Sequence, residues 1–110
     1  MFYSFGVSER AISLAEVQES IRATFGGKDG ARGIDGTFMW FMEEVGELSA
    51  ALRAGSASDR AGEFADVLAW LATLANISGI DLSSAFLAKY GDACPGCRRR
   101  PCACGTEEKP

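Results

Sequence analysis

The chain has 110 residues, enough for one domain around one core. A hydrophobic fraction of 47% excludes a disordered chain, and no apolar run approaches the ~20 residues that span a bilayer. A net charge of −4 argues against a groove for polymeric nucleic acid, and the lack of any histidine excludes His-based acid–base chemistry, Ser/His triads and Glu-x-x-His di-iron centres. Chemistry must fall to carboxylates, Lys, Tyr, Ser/Thr or Cys.

Residues 1–12 show no clear period and form a separate N-terminal segment. They contain no basic stretch followed by an apolar one, so the expectation is a cytoplasmic protein without a signal peptide or membrane segment. Ser13-Leu-Ala-Glu16 is a capping box, and Leu14, Val17, Ile21 and Phe25 follow at helical spacing. Gly26 and Gly27 read as the stop. Residues 26–36, GGKDGARGIDG, hold five glycines and read as a loop. That loop is either a flexible connector or a mobile segment carrying Lys28 and Arg32 to a bound anion.

A second helix is expected after Asp35, running to about Arg53. A third spans about Asp59 to Ser78, with Ser58 as its cap and Gly79 as its end. Asp81 caps a fourth helix that ends near Gly91, with Lys89 and Tyr90 in its last turn. The fold class is therefore all-α, with a four-helix core over residues 13–91 and a Cys-rich tail over 92–110. Four short helices cannot cover this much apolar surface, so a homodimer or homotetramer is expected to complete the bundle.

The second helix carries Glu43, Glu44 and Glu47 with no other charge among Met39–Leu52. On a helical wheel with Glu43 at zero, Glu47 falls near about 40° and Glu44 near about 100°. Phe38, Phe41, Val45, Leu48 and Leu52 gather beside them as an apolar stripe. Like charges at these spacings repel unless a cation intervenes. The third helix repeats the pattern, with Glu63 and Asp66 beside Phe64, Val67, Leu68 and Leu71. An antiparallel pairing of these two helices brings five carboxylates into one cleft. Hard oxygen donors without His or Cys suit Mg²⁺, or Mn²⁺ in its place. The alternative is a solvated acidic face.

Glu43-Glu44-Val-Gly-Glu47, fifteen further residues, then Glu63-Phe-Ala-Asp66 resembles the EExxE…ExxD motif of the MazG-like all-α nucleoside triphosphate pyrophosphohydrolases. The resemblance covers about residues 13–91. It implies Mg²⁺-dependent hydrolysis of a nucleoside triphosphate to the monophosphate and pyrophosphate, in the service of clearing unwanted nucleotides. Within it, Glu44, Glu47, Glu63 and Asp66 are the expected metal ligands, and Glu43 is the expected catalytic residue that positions the attacking water. Glu43 and Glu44 can exchange these roles, since both reach the same cleft.

Trp40 and Trp70 flank these carboxylates, and each is either a platform for a nucleobase or ordinary bundle packing. Lys89, Tyr90, Lys28 and Arg32 are expected phosphate contacts, with Lys89 ahead of the loop cations because a helix positions it better. Lys89 alternatively only complements the end of its helix. The tail holds Cys94, Cys97, Cys102 and Cys104, whose pattern suits a Zn²⁺ tetrathiolate or free thiols and disulfides. Two other functions fit the same residues: a non-catalytic nucleotide-binding or regulatory module, and a zinc-binding oligomerisation domain.

Overall fold

The computed structural model describes residues 9–109, so residues 1–8 of the expected N-terminal segment lie outside the described residues. Three helices follow in order: α1 (Leu14–Ala54), α2 (Ala57–Ile77) and α3 (Leu82–Tyr90). Among the described residues there is no strand. No single helix there is long and apolar enough to cross a membrane.

The capping box at Ser13 forms as its sequence demands. The Ser13 hydroxyl accepts from Glu16 N–H at 3.1 Å, and the Glu16 carboxylate accepts from Ser13 N–H at 3.0 Å. The helix then continues through the glycine-rich stretch, which corrects the expected loop over 26–36. A single residue breaks it. Gly33 has φ 80° and ψ 178°, a conformation that an L side chain takes only with strain. The first two expected helices thus meet directly at the Gly33 kink as two limbs, with no loop between them.

The reason lies in a polar knot around Asp29, which is buried. Arg32 Nη1 donates to Asp29 Oδ1 at 3.0 Å and to Thr37 Oγ1 at 3.3 Å. Thr73 Oγ1 in α2 donates to Asp29 Oδ2 at 3.1 Å. These bonds span the break and tie both limbs to α2. They offset the helix-propensity cost of the glycines, about 1 kcal/mol each.

Gly55 and Ser56 alone join α1 to α2, so the second limb and α2 run as an antiparallel hairpin. Gly55 N–H donates to Ala51 O at 2.8 Å, and a Cβ at Gly55 would meet that same oxygen at 2.8 Å. Ser56, and not Ser58, is the cap of α2, in a reciprocal box with Asp59. At the other end, Gln18 clamps the α2–α3 turn. Its amide donates to Asn76 Oδ1 and Ile80 O, and its oxygen accepts from Leu82 N–H at 2.8 Å. Asp81 caps α3 as expected.

The buried residues are small: Ala51, Ala72 and Ala75, with Thr37, Thr73 and Asp29. The large apolar residues of the expected stripes do not fill this core. Phe38, Leu52 and Phe64 are 51%, 54% and 56% exposed. Close packing of α1 on α2 through small side chains leaves Phe38, Leu52, Phe64, Leu68 and Leu71 on the outside, while Phe41, Val45, Leu48 and Val67 are half-buried.

Candidate functional site: a carboxylate cluster beside an aromatic cavity

The short Gly55-Ser56 connection places the middle of the second limb against the early turns of α2. Carboxylate oxygens of Glu44, Glu63 and Asp66 lie within 4.8 Å of one another. The charge of Glu47, on the same limb as Glu44, acts on both Glu44 and Glu63. Glu44 Oε2 and Glu63 Oε2 are buried with no hydrogen-bond partner. Buried acceptors without a donor are costly, so this arrangement calls for a cation.

The electrostatics agree. Burial, then the neighbouring Glu47 carboxylate, push the Glu44 carboxyl up to about 7. Burial, followed by the charges of Glu47 and Asp66, raises Glu63 above the ordinary carboxylate range. All donors here are hard carboxylate oxygens, a set that fits a hard divalent cation. Glu43 is exposed and lies outside this group, beside Gly36, Met39 and Trp40.

Next to the cluster is a cavity of about 360 Å³ lined by Lys28, Asp29, Arg32, Asp66, Trp70 and Thr73, among others. Asp66 belongs to both the cluster and the cavity wall. The Arg32 guanidinium sits 4.9 Å from the Trp70 ring centroid. Trp40 stacks on Trp70, with ring centroids 6.4 Å apart and planes 23° from parallel. The cavity therefore offers two cations and an aromatic wall beside an acidic edge.

Lys89 and Tyr90 lie elsewhere. Lys89 Nζ is 5.6 Å from the Tyr90 ring centroid, and Tyr90 stacks on Phe86 at 5.5 Å. Both line an apolar cavity with Leu14, Leu68, Leu71 and Phe86. Lys28 and Arg32, the cations on the glycine-rich stretch, are the ones placed at the cluster's edge. Asp29 went unread in the sequence. Its signal was the i,i+3 pair Asp29-x-x-Arg32, a helical spacing inside a stretch that composition marks as loop.

The four tail thiols also converge, with all their sulfurs within 4.8 Å of one another. None is in a disulfide. Backbone N–H groups of Ala103 and Arg99 pull the Cys97 thiol down to about 6.

The family model for the MazG nucleotide pyrophosphohydrolase domain matches residues 33–98. That span starts at the break in α1 and contains every carboxylate of the cluster. No curated protein matches the chain.

Proposed function

The chain belongs to the MazG nucleotide pyrophosphohydrolase family, and from that premise we propose that it hydrolyses a nucleoside triphosphate to the monophosphate and pyrophosphate. The observation that carries this reading is Asp66, which is shared between the carboxylate cluster and the cationic, aromatic cavity. A triphosphate needs both: a site for the cations that accompany its phosphates, and a wall for its base.

Glu44, Glu47, Glu63 and Asp66 would hold Mg²⁺, or Mn²⁺ in its place. The bound ion supplies neutralisation of phosphate charge and a more acidic water. The chain's own groups do the rest. Arg32 and Lys28 bind phosphate oxygens at the cavity's edge. Trp70, braced by Trp40, stacks on the base. Glu43 stands outside the ligand set on the Trp40 side, where it orients the attacking water and takes its proton. Lys89 and Tyr90 reach the substrate only if a second copy brings its own α3 against the cluster.

We propose that such copies exist, as a homodimer or homotetramer. The accessible surface is 8476 Å², whereas a compact monomer of 11.7 kDa exposes about 5,900 Å². The half-exposed Phe38, Leu52, Phe64 and Leu71 supply an apolar face for a second copy to cover.

A turnover screen over ordinary, deoxy and damaged triphosphates tests the function. Wild type should release pyrophosphate with Mg²⁺, and Glu47→Gln should lose orders of magnitude while its far-UV CD is unchanged. Nucleotide-dependent stabilisation with no turnover would replace the enzyme by a binding module.

A further inference from the structure

Cys94, Cys97, Cys102 and Cys104 fall outside the chemistry of the carboxylate cluster. The loop that carries them is closed by its own backbone. Cys94 N–H donates to Arg99 O at 3.0 Å, and Arg98 N–H donates to Cys94 O at 2.8 Å. Arg98 takes φ 63°, the left-handed turn that brings Cys97 back over Cys94. The second pair follows within one short strap, residues 102–104.

The sulfur separations are informative. Cys94 and Cys104 are 3.8 Å apart, Cys97 and Cys102 3.8 Å, and Cys94 and Cys102 3.5 Å. A disulfide needs about 2.05 Å. A tetrahedron of sulfurs around zinc, with Zn–S near 2.3 Å, has edges of about 3.8 Å. Three backbone N–H groups already point at the sulfurs. Gly96 N–H donates to Cys94 Sγ at 3.3 Å, Ala103 N–H to Cys97 Sγ at 3.2 Å, and Cys104 N–H to Cys102 Sγ at 3.3 Å. Such donors stabilise thiolate charge.

We propose that these four cysteines hold one zinc ion as a closed tetrathiolate that fastens the tail to the C-terminal end of α3. Binding replaces the four thiol protons, which leave to solvent, by four Zn–S bonds, with no change of oxidation state. The centre then carries excess negative charge, and Arg98, Arg99 and Arg100 stand within the same loop. Arg100 also makes the attachment. Its Nη2 donates to Gly91 O at 3.0 Å and to Tyr90 O at 3.5 Å, the last carbonyls of α3. Four protein ligands leave no open position for water, so the ion is structural and takes no part in hydrolysis.

The full chain, purified without chelator, should contain about one zinc per chain and no iron. Its thiols should react with a thiol reagent only after a strong chelator is added. Trypsin should spare the bonds after Arg98 and Arg99 in the zinc form and cut them after chelation. Replacement of zinc by Co²⁺ should give the intense visible absorption of a tetrahedral thiolate site. The double variant Cys102→Ser/Cys104→Ser should lack that absorption and hold less than a tenth of the zinc, with its far-UV CD retained. If that variant fails to fold, the Co²⁺ and trypsin results on wild type still decide the matter. Iron in the site, disulfides among the four cysteines, or freely reactive thiols that take up no Zn²⁺ would each overturn the proposal.

Discussion

Thr73 Oγ1 donates a 3.1 Å hydrogen bond to Asp29 Oδ2, joining two residues 44 positions apart. Through it α2 holds the first limb of α1 at the angle the Gly33 break allows. The same Asp29 carboxylate holds Arg32, and Arg32 lies over Trp70. One buried carboxylate therefore sets both the fold of the glycine-rich stretch and the position of a phosphate-binding cation.

Asp29→Ala should destabilise the protein by about 3 kcal/mol, because it strands a partly buried Arg32 and a buried Thr73 hydroxyl. Thr73→Val keeps the ion pair and should cost about 1–2 kcal/mol. Urea unfolding midpoints read both. Equal stability of Asp29→Ala and wild type would remove the knot from the account of the fold.

Gly33→Ala should cost about 1–3 kcal/mol, since φ 80° with ψ 178° is nearly closed to any side chain. Gly27→Ala and Gly30→Ala should be neutral or stabilising. Both sites are helical with open space at the added Cβ. Thermal melts of the three variants check the contrast, which is sharpest because all three glycines sit in one stretch.

That stretch also shows where the sequence was legible. Ser13 and Glu16 announce their capping box locally, and the spacing of Glu44, Glu47, Glu63 and Asp66 predicts their convergence once a hairpin is assumed. Residues 26–36 misled because glycine content is a local signal, whereas Asp29's partner Thr73 is distant in sequence. Ser56 was missed beside Ser58 because Asp59 completes its box in place of the usual Glu or Gln. The stripe of Phe38, Leu52 and Phe64 signalled burial without saying against what. Small residues such as Ala72 and Ala75 took the intramolecular contact instead.

Those stripes predict self-association. Light scattering should give the mass of two or four chains. Phe64→Lys, on the exposed face, should shift it toward one chain without unfolding α2. A wild-type monomer at tens of micromolar would contradict this.

The carboxylate cluster predicts a pH dependence. Glu44 titrates near 7 in the folded chain, against an ordinary value of 4.5. Between those values the folded state binds more protons than the unfolded state, so stability falls as pH rises through the window. Above about 7 the penalty is fully present. Glu44→Gln should therefore melt higher than metal-free wild type at about pH 8, and the gain should shrink at about pH 5. Mg²⁺ should stabilise wild type by mass action and the variant less. Melts with Mg²⁺ and with chelator test both signs. If the variant gains nothing without metal and Mg²⁺ moves both melts equally, Glu44 is a solvated residue.

Product identity tests the catalytic reading most directly. Incubation of the full chain with a panel of nucleoside triphosphates and Mg²⁺, followed by ³¹P NMR, should show nucleoside monophosphate and pyrophosphate in equal amounts. Glu63→Gln, folded by CD, should lower the rate by at least about 100-fold, the scale of a lost charged catalytic group. Nucleoside diphosphate with orthophosphate, or no turnover of any triphosphate in the panel, would contradict it.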